Sequence, residues 1–448
     1  MLEISGREVL IQELTEPLVK NEGLTQVEGF KEVNGQLQCS RCGTSDRKKR
    51  QVAPCTCGQD CYYCINCLQM GKIKRCSTLY TAKEQNQFTS LTAPILTWKG
   101  ELSKQQKEAS MAIIETIHLG GERLIWAVAG AGKTEMIFKG IELALQAKKR
   151  VCIASPRVDV CLELAPRLKS AFQSVPLAIL YGGSDEPYRY TQLVIATTHQ
   201  LLRFKQAFDV LIIDEIDAFP FDIDRSLQYA AKKAKKEKGS LIFLSATPSK
   251  DMQRAIQQKK LAVTMLPARY HGYPLPEPQL IWSGDWQKKI NRQKATGVFF
   301  AYLKKMLKQK RRFLVFLPNI VLMQKLAVQI KIRFPETLFT TVYAEDPQRK
   351  EKIIQMRQEK YDFLLTTTIL ERGVTFKNID VFVLGAEDRT FTESVLVQIA
   401  GRAGRHKDFP NGAVLFFYYG QTRALKGAVR QIKKMNRLAT ERGLVKKC

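Results

Sequence analysis

Short apolar runs alternate with amphipathic stretches along most of the chain and form two successive series. Apolar runs of about five residues between turn-forming positions are typical of buried strands, and the stretches between them have the helical period. The predicted strands of the first series are 124–128, 150–154, 177–181, 192–197, 209–214 and 240–245, and those of the second are 313–317, 338–343, 361–367 and 381–384. This alternation predicts an α/β fold with two parallel-sheet lobes in tandem.

Cysteine placement and composition divide the 448 residues into four predicted segments. Residues 1–97 are predicted as an N-terminal region with a small zinc-binding module, and their acidic start, 1–38, contains no predicted site. Residues 98–267 are predicted as the first lobe and 293–448 as the second. The intervening 268–292 begins with ARYHGYPLPEP, whose prolines favour a linker over a central strand or a long helix.

A phosphate-binding loop joins the first strand of the first series to a helix. The spacing is A-x-x-x-x-G-K-T, running from Ala127 through Gly130 and Gly132 to Lys133 and Thr134, with Ala in place of the usual first Gly. Backbone N–H groups and the positive helix N-terminus would cradle phosphates. Lys133 would reach the terminal phosphates, and the Thr134 hydroxyl would bind Mg²⁺. The sequence therefore predicts a nucleotide site.

Acidic residues end the central strand VLIID, which continues as Asp214-Glu215-Ile216-Asp217. Ligands of parallel sheets bind at the carboxyl ends of the strands, so these side chains are expected near the phosphates. We expect Asp214 to hold the hydration shell of Mg²⁺ and Glu215 to orient and deprotonate the attacking water. The sequence 245–247 (SAT) also ends a strand, where it is well placed to sense phosphate loss.

The second series has no phosphate loop but contains the sequence QIAGRAGR at 398–405. Arg402 and Arg405 are three residues apart, which predicts that they share one face of a helix. An arginine supplied across a cleft stabilises charge in the transition state of phosphoryl transfer. We therefore predict that both arginines complete the site of the first lobe. A surface helix with a basic face is the alternative.

Seven of the eleven cysteines lie between Cys39 and Cys67. The two C-x-x-C pairs, Cys39/Cys42 and Cys64/Cys67, have the spacing of a four-thiolate zinc site, and this is the preferred ligand set. Three further cysteines leave the assignment open, because each could replace a ligand or join a second ion: Cys55, Cys57 and Cys61. A closed site of this type has a structural role rather than a catalytic one.

The charge of the chain indicates a polyanionic partner. Lys and Arg number 71 against 43 Asp and Glu, a net charge of +28, and residues 268–448 hold 34 basic and 15 acidic side chains, or +19. The sequence has no run of about 18 apolar residues and no charged-then-apolar start. We therefore expect an intracellular, cytoplasmic protein without a membrane span of its own.

Residues 98 to about 420 resemble superfamily 2 helicases and translocases, which consist of two RecA-like lobes that share one ATP. The resemblance lies in the ordered motifs AVAGAGKT, DEID, SAT, ERGVT and QIAGRAGR. It implies that Gln106 contacts adenine, that Gly373 belongs to the nucleotide site, and that Arg402 and Arg405 contact the γ-phosphate. It also implies a strand-binding face that includes Ser155, Arg157, Thr197, Thr198, Thr366 and Thr367.

The four-cysteine module ahead of these motifs, with C-x-R-C-G and YYCxxC, makes the whole chain similar to the ComFA family of late-competence DNA-uptake ATPases. That resemblance implies ATP, Mg²⁺ and Zn²⁺ as cofactors and single-stranded DNA as the substrate. It also implies competence partners, including the membrane DNA channel and ComFC-like and DprA-like proteins. Through such partners the protein would lie at the inner face of the cell membrane.

Three functions remain open from the sequence. The first is an ATP-dependent translocase on single-stranded DNA that drives uptake of transforming DNA. The second is a replication-restart or repair helicase, although restart helicases carry their zinc module late in the chain. The third, from another class, is a nucleic-acid-binding adaptor that uses ATP as a clamp, against which the presence of Glu215 and both arginines argues.

Overall fold

The computed structural model describes residues 2–14, 23–58, 60–184, 186–294, 297–372, 374 and 376–446. They fall into two compact units, Met1–Trp126 with Lys133–Met265, and Ala127–Gly132 with Leu266–Cys448. Within the described residues, no helix is both long and apolar enough to cross a lipid bilayer. The predicted site residue Gly373 lies outside the described residues.

Short antiparallel strands build the N-terminal region. They are β1 (Glu8–Val9), β2 (Thr25–Glu28), β3 (Phe30–Val33), β4 (Gln36–Cys39), β5 (Arg50–Val52), β6 (Tyr62–Cys64) and β7 (Thr78–Thr81). One sheet has the order β1-β7-β2, and β3–β4 and β5–β6 are separate hairpins. Asn34 and Gly35 join β3 to β4 with φ of 50° and 71°, the two-residue turn that suits strand twist and favours Asn-Gly. The hairpins carry the clustered cysteines.

The first lobe is a seven-stranded sheet with the order β10-β11-β9-β12-β13-β8-β14. The pairings from β10 through β8 are parallel, and strands β9, β11 and β12 are buried almost throughout, which explains their continuous apolar runs. In chain order the elements are α1 (Lys104–Leu119), β8 (Gly121–Ala127), α2 (Lys133–Gln146), β9 (Val151–Ser155), α3 (Val158–Ala171), β10 (Leu177–Leu180), β11 (Leu193–Thr197), β12 (Phe208–Asp214), α4 (Arg225–Ala234), β13 (Lys235–Ser245), α5 (Lys250–Gln257) and β14 (Ala262–Leu266).

Acidic side chains of the N-terminal region pair with cations of the first lobe inside the same unit. Glu84 accepts a hydrogen bond from Arg150 at 2.6 Å, and neither side chain is exposed. Glu8 pairs with Lys233 at 3.0 Å. Burial lowers the pKa of the Lys233 ammonium, and the Glu8 carboxylate opposes that shift. Glu8, in the acidic start where the sequence indicated no site, and Glu84 therefore attach the N-terminal region to the lobe.

The second lobe is a six-stranded, wholly parallel sheet with the order β15-β20-β19-β16-β18-β17. Four phenylalanines stack across neighbouring strands with ring centroids 4.7–4.9 Å apart: Phe339, Phe363, Phe313 and Phe382. The elements are β15 (Gln279–Trp282), α6 (Trp286–Asn291), α7 (Val298–Lys308), β16 (Arg312–Phe316), α8 (Ile320–Arg333), β17 (Phe339–Val342), α9 (Arg349–Arg357), β18 (Phe363–Thr366), β19 (Ile379–Leu384), α10 (Glu393–Ala400), β20 (Val414–Tyr418) and α11 (Arg423–Glu441).

Two parallel sheets with intervening helices confirm the predicted α/β class and its two lobes in tandem. The segment predicted as a linker, 268–292, contains regular structure in its second half. Strand β15 pairs in parallel with β20 there, and α6 follows. The prolines end at Pro278, directly before β15, so the physical objection to a strand applies only to the first half of the segment.

Candidate nucleotide site and zinc module

The phosphate loop has the backbone that a cradle of N–H groups requires. Gly130 and Gly132 have φ of 83° and 74°, a left-handed region in which a side chain would be strained. Helix α2 begins at Lys133, directly after these turns, so the positive dipole end of the helix follows the loop. This geometry fits an anionic ligand such as a nucleotide phosphate.

Lys133 and Asp214 meet although they are far apart in sequence. The Lys133 Nζ lies 3.3 Å from Asp214 Oδ1. Asp214 ends β12 and is only 8% exposed, and Thr134, the next residue of α2, is also buried. The hydroxyl of Thr134 and the carboxylate of Asp214 are hard oxygen donors, which is the ligand type that Mg²⁺ prefers. These residues therefore fit a magnesium nucleotide.

Directly after Asp214, at the end of β12, the backbone turns at Glu215. This residue has φ of 58°, in the left-handed region that non-glycine residues rarely adopt. Its N–H donates to Asp214 Oδ1 at 2.9 Å, which holds the turn. Such a conformation costs about 1–3 kcal/mol and persists where surrounding structure enforces it, often at functional sites. The turn separates the direction of the Asp214 side chain from that of Asp217, three residues after Asp214.

Asp217 connects the acidic strand end to the neighbouring strand. Its two carboxylate oxygens accept hydrogen bonds from the hydroxyls of Ser245 and Thr247, at 2.7 and 2.6 Å. The Thr247 N–H also donates to Ser245 Oγ at 3.0 Å. A displacement at the end of β12 would therefore be passed to the SAT segment at the end of β13 through two charge-assisted bonds.

Gln106, the predicted adenine contact, lies in the first turn of α1. Its Oε1 accepts a hydrogen bond from the Ser103 backbone N–H at 2.8 Å, so the side chain caps the helix. The glutamine is buried. Whether it contacts adenine stays a prediction.

In the second lobe, Arg402 and Arg405 do not share a helical face, so that part of the prediction is wrong. Helix α10 ends at Ala400, and both arginines lie in the turns that follow it. Gly404, between the two arginines, has φ of 65°, so no right-handed helix continues from Arg402 through Arg405.

Backbone carbonyls hold both arginines. Arg402 is 4% exposed, and its guanidinium donates to the carbonyls of Glu371, at 2.8 Å, and Val374. Arg405 is less buried, and its Nε donates to the Gly401 carbonyl at 2.9 Å. Backbone carbonyls are thus among the groups that position both cations.

Arg269 was missed by sequence reasoning. It is only 1% exposed, its side-chain carbons lie beside Gly130, and its Nη1 donates to the Gly404 carbonyl. Its Nε and Nη2 are buried and have no hydrogen-bond partner among the described residues. Burial, with a smaller contribution from the Arg405 charge, lowers the pKa of Arg269 to about 9. The surrounding sequence resembled a linker, so no motif marked this cation.

The residues predicted on the strand-binding face have different exposures. Arg157 and Thr367 are partly exposed, and Arg157 lies 4.0 Å from Asp159. The Thr366 hydroxyl is buried and donates to the Val342 carbonyl at 2.9 Å. The remaining side chains are also buried, at the ends of β9 and β11: Ser155, Thr197 and Thr198. Contacts to nucleic acid by these residues stay predictions.

The preferred zinc ligands come together in the N-terminal region. Cys39, Cys42, Cys64 and Cys67 are buried, and their sulfur atoms all lie within 4.8 Å of one another. Two of the S···S distances are 3.8 and 3.5 Å. A tetrahedral Zn²⁺ with Zn–S bonds of about 2.3 Å requires sulfurs about 3.8 Å apart. The tetrad is therefore compatible with zinc. Cys55, Cys57 and Cys61 lie apart from it, in a second group.

The first tetrad lies beside helix α4 of the first lobe. Gly43, next to Cys42, packs so closely on Tyr229 that a Cβ there would lie 2.6 Å from the ring. Asn66 Nδ2 donates to the Ser226 hydroxyl at 3.0 Å. The module is thus part of the compact unit that contains the first lobe.

Family models match three parts of the chain. Residues 3–81 match the competence protein ComFA N-terminal domain, 104–255 the DEAD/DEAH box helicase model, and 299–407 the helicase conserved C-terminal domain. Among solved structures, the Mycobacterium smegmatis helicase Lhr bound to ssDNA and AMP-PNP has a TM-score of 0.52 and 16% identity, covering 75% of this chain and 50% of that one. That likeness supports the two-lobed fold.

Two curated relatives match nearly the full length. Competence protein ComFA of Bacillus subtilis (strain 168) is 45% identical over 96% of this chain and 92% of the relative. Competence protein ComFA of Streptococcus pneumoniae (strain ATCC BAA-255 / R6) is 37% identical over 98% and 99%. Together with the helicase models, these matches show that the chain belongs to the ComFA family and is a nucleic-acid-dependent ATPase of helicase superfamily 2.

Proposed function

We propose that this protein is an ATP-driven translocase on single-stranded DNA that contributes to uptake of transforming DNA during natural competence. The observation that carries the proposal is the Lys133–Asp214 pair at 3.3 Å, a phosphate-loop lysine beside a strand-end carboxylate. Membership of a competence family supports the pathway. The excess of basic residues supports a polyanionic substrate.

In this proposal the phosphates of ATP bind the N–H groups of the turn containing Ala127, Gly130 and Gly132, and Lys133 contacts the terminal phosphates. Thr134 and Asp214 hold Mg²⁺, which neutralises charge on the phosphate oxygens when it is bound. The next residue, Glu215, accepts a proton from the attacking water.

The second lobe supplies Arg402 and Arg405 to the γ-phosphate, and Gln106 of the first lobe contacts adenine. Each arginine now donates to a neutral backbone carbonyl and would donate to an anionic phosphate oxygen when ATP is bound. Hydrogen bonds to charged acceptors are stronger than those to neutral ones. We also assign Gly373 to this site because it belongs to the motif ERGVT.

For the DNA strand we propose direct contacts from Arg157 and Thr367, the partly exposed members of the predicted face. Backbone groups next to the buried members would supply further contacts: Ser155, Thr197, Thr198 and Thr366. Phosphate contacts of this kind carry little sequence information, as a translocase on arbitrary DNA requires.

The decisive experiment measures ATPase activity with single-stranded DNA, duplex DNA and RNA side by side. Single-stranded DNA should stimulate turnover most, and rising salt should weaken the stimulation steeply. Lys133→Ala should abolish turnover, whereas Lys139→Ala, an exposed lysine on the same helix, should leave it intact. Full turnover in the Lys133 variant would refute the proposal.

Two further measurements separate the alternatives. Unwinding of a forked duplex that exceeds movement on single strands would favour a restart or repair helicase. Glu215→Gln should trap ATP and slow DNA release if hydrolysis drives movement. Unchanged cycling and release in this variant would favour an ATP-clamped adaptor instead.

We propose that contact with the cell membrane is indirect, through the DNA channel and ComFC-like and DprA-like proteins. Fractionation of competent cells should recover the protein with membranes when the channel is present and release it when the channel is deleted. Equal recovery in both strains would contradict this part of the proposal.

We propose that Cys39, Cys42, Cys64 and Cys67 bind one structural Zn²⁺. Metal binding and folding are coupled in such small modules. Cys64→Ala should therefore release that ion and expose the N-terminal region to proteolysis. Full retention of zinc in this variant would assign the ligands elsewhere.

A further inference from the structure

A second group of four cysteines lies in the N-terminal region, outside the predicted ligand set. Cys55, Cys57, Cys61 and Cys76 have sulfur atoms that all lie within 4.8 Å of one another. The S···S distances from Cys76 are 3.6 Å to Cys55 and 3.8 Å to Cys61. Those distances are near the roughly 3.8 Å edge of a tetrahedral zinc–thiolate site and resemble the 3.8 and 3.5 Å of the first tetrad. We infer that this group, here called the second tetrad, binds a second Zn²⁺.

The local backbone explains how these residues converge. Strands β5 and β6 form a hairpin, and the Ala53 N–H donates to the Cys61 carbonyl at 3.2 Å, which brings the segment before β6 close to the one after β5. On the other side of β6, the Arg75 N–H donates to the Tyr62 carbonyl at 2.8 Å. Cys76 follows Arg75 directly and so reaches the same end of the hairpin.

The two tetrads occupy opposite ends of β6. Cys61 precedes this strand, and Cys64 is its last residue. Three residues of extended chain separate the two sulfur groups by about 10 Å along the strand. One ion cannot be shared over that distance, so each tetrad requires its own ion.

The charge around the second tetrad also fits a metal–thiolate group. Zn²⁺ with four thiolates carries a net charge of −2, which needs nearby cations or N–H donors. The Lys74 Nζ lies 3.8 Å from Cys55 Sγ. A disulfide would bring two sulfurs to about 2.05 Å and leave the other two unused, whereas all four sulfurs here lie within 4.8 Å of one another.

The two sites differ in exposure, which predicts different stabilities toward chelators. All four cysteines of the first tetrad are buried. In the second tetrad, Cys57 and Cys76 are exposed and Cys55 is half-buried. A chelator should therefore remove the ion of the second tetrad before the ion of the first. The role of the second ion in this inference is to fix the basic segment that contains Lys74 and Arg75 against β6.

The test is the zinc content of the purified, reduced full-length protein after loading with Zn²⁺ and removal of excess metal. We expect about two ions per chain in the wild type and about one in Cys76→Ser and in Cys57→Ser. Cys161→Ser, which changes a buried cysteine of the first lobe, is the matched control and should keep both. About one ion in the wild type, unchanged in Cys76→Ser, would overturn the inference.

A second measurement keeps the inference testable if a variant folds poorly. In the loaded wild type, a thiol reagent should label Cys57 and Cys76 only after a chelator has removed the faster-released ion. Immediate labelling of both residues before chelation would show that they are not ligands. Co²⁺ loading provides an independent count, since tetrahedral Co²⁺–thiolate absorption should saturate at two equivalents in the wild type and at one in Cys76→Ser.

Discussion

The buried pair between Glu84 and Arg150 should control the attachment of the N-terminal region to the first lobe. Glu84→Gln replaces the carboxylate by a neutral amide of the same shape. The Arg150 guanidinium would then remain buried with only neutral partners, the Tyr188 hydroxyl at 2.7 Å and the Thr191 and Ser5 carbonyls at 3.1 and 3.3 Å. A buried cation without its counter-ion is costly.

Two estimates give the size of this effect. Removing one partner of a buried ion pair typically costs about 3–5 kcal/mol. Independently, two unit charges about 4 Å apart attract by about 4 kcal/mol at an effective dielectric constant of about 20. For a unit of this size, a loss of that magnitude lowers the Tm by about 6–20 °C.

Hydrogen exchange measured by mass spectrometry locates the loss. Protection should fall in β1, β7 and β9 while β16 and β19 of the second lobe stay protected. Glu186→Gln is the control, because Glu186 pairs with Arg189 on the surface, where an ion pair contributes at most about 1 kcal/mol. Equal, small losses in the two variants would refute the argument that burial gives the Glu84 pair its strength.

Three further predictions concern the site and the second unit. Asp217→Asn should preserve ATP-analogue binding but reduce DNA-stimulated turnover about 10-fold or more. The substitution weakens two charge-assisted hydrogen bonds, each of about 1.5–3 kcal/mol, from the Ser245 and Thr247 hydroxyls. Measuring the Kd for the ATP analogue and the kcat of the ATPase tests this prediction. Arg269→Gln should weaken ATP-analogue binding about 10-fold in titration calorimetry, because it removes a buried cation beside Gly130 of the phosphate loop. For His271, burial and then the Arg269 charge lower the pKa to about 4 from 6.5, so the neutral form is favoured. Its stabilisation is present above pH 6.5 and is lost as the pH falls toward 4, and urea unfolding of His271→Gln should lack this slope.

The parallel strands that carry the site could be predicted because central strands are buried on both faces. Their sequences are therefore continuous apolar runs, and the polar residue that ends each run marks the carboxyl edge. The apolar pattern alone is enough to predict β12, with Asp214 at its end, and β16. The predicted strands do not include β14, β15 and β20. Strand β15 follows a proline-rich segment, which masks it, whereas β20 is a buried apolar run that was overlooked although its pattern is that of a central strand.

Contacts between distant segments could not be predicted from local patterns. Cys76 joins the second tetrad through the pairing of its backbone with β6, and it lies outside any C-x-x-C pair. No motif marked Glu8 or Glu84, yet each meets a cation of the first lobe. In each case the missing information is the tertiary placement of a segment whose own sequence carries no distinctive pattern.

The left-handed turn at Glu215 explains why the acidic motif can act in two directions. In a regular strand Asp214 and Asp217 would project on opposite faces, and in a helix they would share one face. The turn instead leaves Asp214 beside Lys133 while Asp217 binds the hydroxyls of Ser245 and Thr247. The carboxylate beside Lys133 and the carboxylate that holds the next strand end are thus joined by a strained turn of few residues. Because that turn has little freedom, we propose that a shift of Asp214 on phosphate release moves Asp217, which would couple hydrolysis to the SAT segment without a long-range pathway.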